Sequence, residues 1–319
     1  MKIAMGYMAA KFLFVANEIG LFDALASGPA NLEELATRIS VPSRTTGIVA
    51  AAMLGLGLIE QEEGRYRNSA EAAAFLVHKA TLNLQAIIRY FDTFSYPVWQ
   101  NLSEAVRLDS GQRRFAKFDL AQQHIYSAGV EAITAPVAAA LSISYDFGPH
   151  RRLLDVAGGT GSLLLAVLRH YPALRGTLFE LPQVCTVARQ RLAKEPERTR
   201  IDIVEGDLFG EPLPSDHDVV LVANAVHMFS AAHNVELMQK SRAAVQAGAR
   251  LLLVDFWTDP THSDPPAAAL MSGAFLLTSG EGQTYSEKEA DEWLKRTGWR
   301  KRERKALAGA TSLVIAEAI

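Results

Sequence analysis

The chain of 319 residues contains one cysteine, Cys185. No intrachain disulfide can form, so the fold rests on its core, and the composition suits a reducing compartment. Neither charge is in excess. The 32 basic and 35 acidic residues leave a net charge of −3, which gives the whole chain no field to attract nucleic acid or an anionic membrane. Long apolar runs are also missing near the start, where Lys11, Asn17 and Glu18 interrupt the first hydrophobic stretch. That stretch is too broken for a signal-peptide core or a spanning helix of about 20 residues. A soluble cytoplasmic protein is expected, with neither a nucleic-acid nor a membrane partner. Apolar residues are plentiful at 49%, enough for one large domain or two of roughly 100–200 residues each.

The pattern changes near residue 148. Before it, apolar residues recur at helical spacing, as in Phe12, Val15, Ala16, Ile19 and Phe22. Asn31 and Ser43 read as N-caps of helices over 32–39 and 44–56. Leu58 to Glu60 and Tyr66-Arg67, joined through Glu62-Glu63-Gly64, then form a hairpin. Helix, helix, hairpin is a winged-helix arrangement, but the second helix offers only Arg44 among bases. DNA binding needs a basic face, so a helical packing or dimerisation module is the better reading. Further helices follow with Phe91, Phe94, Tyr96, Trp99, Phe115, Phe118, His124 and Tyr126, which serve the core or face a ligand cavity. Ser142 to His150, with Gly148-Pro149, reads as the hinge.

Beyond it, short apolar runs alternate with helical stretches: Leu153 to Val156, Thr177 to Phe179, Ile201 to Val204, Val219 to Val222 and Leu251 to Phe256, with helices at 163–169, 183–193 and 231–245. This is the pattern of a parallel sheet covered on both faces. The expected fold is α/β: a doubly wound, Rossmann-like domain over 149–319 behind a mostly helical winged-helix dimerisation and lid domain over 1–148.

Chemistry concentrates at strand ends. Asp155-Val156-Ala157-Gly158-Gly159-Thr160-Gly161 passes from strand to helix, where glycines permit a sharp turn and close approach of a ligand. The spacing matches neither the dinucleotide fingerprint nor a P-loop. Glu180 ends the next strand, where a carboxylate accepts from ribose hydroxyls, and Asp207 follows the third. Three carboxylates without phosphate-binding chemistry describe a nucleoside site. The eight histidines show no ligand spacing, so no metal is expected, and no Gly-x-Ser-x-Gly elbow supports a hydrolase.

With Phe179-Glu180-Leu181-Pro182-Gln183-Val184, Glu205-Gly206-Asp207-Leu208-Phe209 and Val226-His227-Met228-Phe229, the chain resembles the S-adenosylmethionine-dependent small-molecule O-methyltransferases of the plant caffeic-acid and bacterial polyketide and phenazine type. The resemblance implies a homodimer, a closing hairpin at about 299–306 and 311–318, and transfer to a hydroxylated aromatic or polyketide-like molecule. It places the cofactor on Asp155, Gly158, Gly159, Gly161, Glu180, Leu181, Asp207, Leu208 and Asn224. It makes His227 the general base and lines the substrate pocket with Phe94, Trp99, Tyr126, Met271 and Phe275.

Some positions depart from the family pattern. Ala157 replaces the first glycine of the turn, which a negative φ would accommodate. Met228 and Phe229 follow the histidine where Asp and Trp are usual, and Thr284 stands where plant members carry an acid, with Glu281 three residues away. Without an orienting carboxylate His227 would be a weaker base. That motivates an alternative, the same cofactor used for decarboxylation, hydroxylation or a pericyclic step. A ligand-sensing winged-helix regulator is the second alternative.

Overall fold

The computed structural model describes residues 2–111 and 119–319; Phe115 and Phe118 lie outside them. Two compact units divide the chain. One takes the residues up to Pro97 together with Asp119–Ala132, and the other the rest. Packing therefore divides the chain elsewhere than at residue 148, because one helix, Leu120–Ser144, runs unbroken and contributes to both units. By length and composition its Ala121–Ser144 segment could cross a membrane; a helix in the core of a soluble protein meets the same test.

The first unit contains α1 (Lys2–Glu18), α2 (Leu21–Ala26), α3 (Leu32–Ile39), α4 (Ser43–Gly55), β1 (Ile59–Glu62), β2 (Arg65–Asn68), α5 (Ala70–Phe75) and α6 (Gln85–Tyr90). Asn31 caps α3 in a reciprocal box with Glu34, satisfying two donors that the helix start leaves free. The cap of α4 is Pro42 rather than Ser43. Ser43 is already helical, and its hydroxyl donates instead to Glu33 at 2.6 Å. Glu63 and Gly64 both adopt positive φ between β1 and β2, as a two-residue hairpin turn requires. Leu21, Phe22, Leu35, Met53 and Ile59 form the core.

The second unit holds α8 (Leu102–Leu108), the later half of α9 (Leu120–Ser144), β3 (Arg152–Val156), α10 (Ser162–His170), β4 (Arg175–Glu180), α11 (Pro182–Leu192), β5 (Ile201–Glu205) and β6 (His217–Ala223). It continues through α12 (Ala231–Ala243), β7 (Val245–Thr258), α13 (Pro266–Ser279), β8 (Tyr285–Ser286), α14 (Glu287–Arg296), β9 (Trp299–Ala306) and β10 (Thr311–Ala318). A short helical turn, α7 (Tyr96–Val98), spans the division.

The strand order is β5-β4-β3-β6-β7-β10-β9. The first five strands pair in parallel, and β10 is antiparallel to both β7 and β9. On β7, Leu251 and Leu253 face the layer containing α12 and α14, while Leu252 and Val254 face the layer of α9, α10 and α11. Burial of both faces explains why these strands read as continuous apolar runs. The chain order reverses between β3 and β6, and such a switch point opens a crevice at the carboxyl ends of the strands.

Candidate active site

The turn after β3 points into that crevice. Ala157, Gly159 and Gly161 have φ of 54°, 60° and 80°, so Ala157 sits in the left-handed region and the negative φ expected for it is not found. A β-carbon there costs about 1–2 kcal/mol. Ala157→Gly is expected to stabilise the protein by about 0.5 kcal/mol after the extra unfolded-state freedom of glycine is set against this, a gain that chemical denaturation would resolve. At Gly158 a β-carbon would collide with the Asp155 carboxylate.

Asp155 is fully buried, and neither of its carboxylate oxygens has a hydrogen-bond partner. Burial, with the charge of Glu180 added, pushes its carboxyl up to about 8. Glu180 is also shifted upward by burial, against the N–H groups of Leu181 and Gly159 that donate to it at 2.6 and 3.1 Å. Asp207 is exposed and accepts from the Phe209 N–H at 2.9 Å. Leu181 is exposed and Leu208 buried. Asn224 follows β6 with φ of 52°, its N–H held by the Val254 carbonyl at 2.8 Å. Cys185 packs in α11 with its thiol toward the Glu180 and Val204 carbonyls.

His227 lies on a single helical turn, Val226–Met228, just past β6. Asn234 braces the turn by donating to the carbonyls of Val226 and Phe229 at 2.9 and 3.2 Å, and the Tyr285 hydroxyl donates to Phe229 at 2.7 Å. The imidazole is 6% exposed. Its Nδ1 is 2.6 Å from Asp255 Oδ1, and its backbone N–H donates to Oδ2 at 3.3 Å. Phe275 stacks on the ring at a centroid distance of 3.7 Å.

The expectation that His227 lacks a carboxylate is thus overturned. The acid comes from β7, oriented in turn by the Phe256 N–H at 2.7 Å. With Nδ1 carrying the hydrogen toward Asp255, Nε2 is left as the proton acceptor. A sequence signal existed: Asp255 interrupts the apolar run Leu251 to Trp257, and a buried carboxylate there requires a partner. Thr284, at the family's acid position, is buried and hydrogen-bonds Ser272 at 2.5 Å. Glu281 binds His233 instead.

Met271 and Phe275, four residues apart, share a face of α13, the face that meets His227. Trp99 is not with them. Its ring lies against Gly273, two residues from Phe275 and therefore on the opposite side of the helix. Phe94 and Tyr126 belong to the first unit, where they pack on each other and on Tyr90 with centroids 5.6–5.9 Å apart. Among the described residues no group of three or more His, Cys, Asp or Glu side chains is placed to hold a metal.

Comparison with known proteins decides the kinship. An O-methyltransferase domain matches residues 99–300, and an O-methyltransferase dimerisation domain matches residues 1–78. The chain belongs to the O-methyltransferase family. Within this methyltransferase, the domain match begins one residue after the division at Val98. The 3-hydroxy-5-methyl-1-naphthoate 3-O-methyltransferase of Streptomyces sahachiroi is 33% identical over 302 residues, covering 93% of this chain and 87% of that protein. Acetylserotonin O-methyltransferase of Mus musculus is 28% identical over 91% of this chain and 81% of its own length. Among solved structures, PigF with SAH superposes with a TM-score of 0.89 at 29% identity, covering 99% and 98% of the two chains.

Proposed function

We propose that this methyltransferase methylates a hydroxyl oxygen of a planar aromatic or polyketide-like small molecule, using S-adenosylmethionine and His227 as general base. The observation that carries the reading is the His227–Asp255 dyad beneath Phe275, in the same strand-end crevice as the unpartnered carboxylate of Asp155. A buried carboxylate without donors suits a cationic group rich in N–H. The ammonium of the cofactor's methionine part supplies that chemistry, so the residues fit the cofactor.

In this reading Asp155 takes the ammonium, and the Gly158, Gly159 and Gly161 turn admits the methionine chain. Glu180 accepts from the ribose hydroxyls. Asp207 accepts from the adenine amino group, between Leu181 and Leu208, and Asn224 closes the site near β6. S-adenosylmethionine, when bound, supplies a methyl group on a positively charged sulfur. The protein's own task is to place the acceptor oxygen in line and remove its proton. A phenol of pKa about 10 passes its proton to imidazole as C–O bonding develops. Asp255 stabilises the resulting imidazolium, and Phe275 keeps the ring from turning. Because Asp255 supplies the missing carboxylate, the ground for a non-methylating reaction is removed. The test is incubation with methyl-labelled cofactor and a panel of phenols, naphthols and arylamines. Label on oxygen supports the reading; label on nitrogen, or none, overturns it.

The same proposal assigns a cytoplasmic homodimer formed through residues 1–78, with no nucleic-acid partner. In its support, α1 exposes Ile3 (97%), Met5, Tyr7 and Met8, a run of apolar surface suited to a second copy. α4 begins with Ser43-Arg44 and carries no further base. Replacing Ile3 and Met8 together by Asp is expected to weaken the dimer by about tenfold or more, since each buried apolar side chain contributes about 1.5–3 kcal/mol. Light scattering over a dilution series would show it; a wild-type monomer at micromolar concentration would end the dimer assignment.

A further inference from the structure

A second imidazole–carboxylate pair stands outside the catalytic dyad. His233, in the first turn of α12, brings Nδ1 to 2.9 and 3.1 Å from the two carboxylate oxygens of Glu281, in the loop after α13. The His233 ring lies over Phe209 at a centroid distance of 4.6 Å, and Phe209 meets Phe229 edge-on at 5.0 Å. Phe209 closes the loop of Asp207 and Leu208, and Phe229 ends the turn that carries His227. Glu281 precedes Gly282, whose backbone packs so closely on the His227 carbonyl that a β-carbon could not be placed there. Segments from residues 207, 229, 233 and 281 thus converge on one contact.

We propose that His233 and Glu281 are positioning residues that clasp Phe209 and so hold the Asp207–Phe209 loop ready for the adenine end of the cofactor. The inference rests on the cofactor reading above. The pair is partly accessible, with side-chain exposures of 39% and 24%, and an accessible ion pair adds little to global stability. Its effect falls on the loop it touches. Asp207 is exposed and accepts hydrogen bonds from Phe209, Gly210 and Glu211 of its own loop; α12 meets this loop at Phe209, through the His233 ring, and at Glu211, whose carbonyl accepts from Lys240 at 2.7 Å.

Calorimetric titration of S-adenosylmethionine and its demethylated product into the full-length protein tests this, with His233→Ala, Glu281→Ala, the double variant and Glu281→Gln. Each alanine variant is expected to raise Kd about three- to fivefold, the range open to a partly exposed pair. The double variant should lose less than the sum of the two single losses, because both remove the shared His233–Glu281 interaction. Glu281→Gln keeps an acceptor for the Nδ1 hydrogen and should return to within about twofold of wild type. Melting temperatures should stay within about 2 °C. Unchanged affinity in the single variants, additive losses in the double, or no recovery with Gln overturns the clasp alone. A wild-type protein that binds neither compound overturns the cofactor reading and takes the clasp with it.

Discussion

Asp155→Asn is expected to make the cofactor-free protein more stable at neutral pH while removing its hold on the cofactor. The carboxyl lies at about 8 in the folded chain against an ordinary 3.8. Between those values the folded state keeps a proton that the unfolded chain has released, so stability falls as pH rises from about 4 to about 8 and is level beyond. At pH 7 the accumulated cost is on the order of 4 kcal/mol. The amide also lacks partners there, so a gain of about 2–3 kcal/mol remains. Calorimetric melting at pH 4, 6 and 8 checks it: the variant's advantage should grow with pH and give way to a small deficit near pH 4, where only the cost of the unpartnered amide remains. A variant that melts below wild type at pH 8 sinks the argument.

Cofactor binding should move the other way. Loss of a buried charge-assisted contact costs about 1.5–3 kcal/mol, roughly a 10- to 100-fold weaker Kd. In the wild type, the ammonium meets a carboxyl that is mostly protonated at pH 7 and must release its proton. Titration in buffers of differing ionisation enthalpy should therefore register about one proton released per cofactor bound at pH 7 and almost none at pH 9. Stability and binding are opposed at this residue because the site is built for a cation that the empty protein lacks.

His227→Ala is expected to lower kcat by about 10²–10⁴, the usual contribution of a positioned base, with cofactor affinity unchanged. Asp255→Asn should lose about 10², because an amide neither stabilises the imidazolium nor fixes the hydrogen on Nδ1. Both deficits should shrink with acceptors whose hydroxyl is already ionised at the assay pH, since no proton then needs removal. Full activity in His227→Ala with ordinary phenols would refute general-base catalysis. A deficit independent of acceptor acidity would show that the side chain only shapes the pocket.

Much of this fold was legible in the residues. The closing strands β9 and β10 occupy 299–306 and 311–318, as the family resemblance implied. The parallel strands announced themselves because both of their faces are buried. Contacts made by packing were harder to read. The continuity of α9 through residue 144 defeated the expected hinge: Gly148-Pro149 forms a turn in the loop between α9 and β3, while the units divide inside the helix. Trp99 and Phe275 had looked alike as pocket aromatics, yet they fall on opposite sides of α13, a matter of helical phase across two elements.

The single cysteine and balanced charge raised at the outset left the chain to a hydrophobic core and a neutral surface, and local sequence determined most of what followed. Glycines, carboxylates and His227 fell at strand ends because strand and helix periods are local properties. The partner of His227 was decided only in three dimensions. Asp255 lies 28 residues further along the chain, and the parallel register of β6 and β7 brings it beneath the imidazole. A carboxylate's role depends on which donor faces it across the sheet, and no spacing along one chain records that.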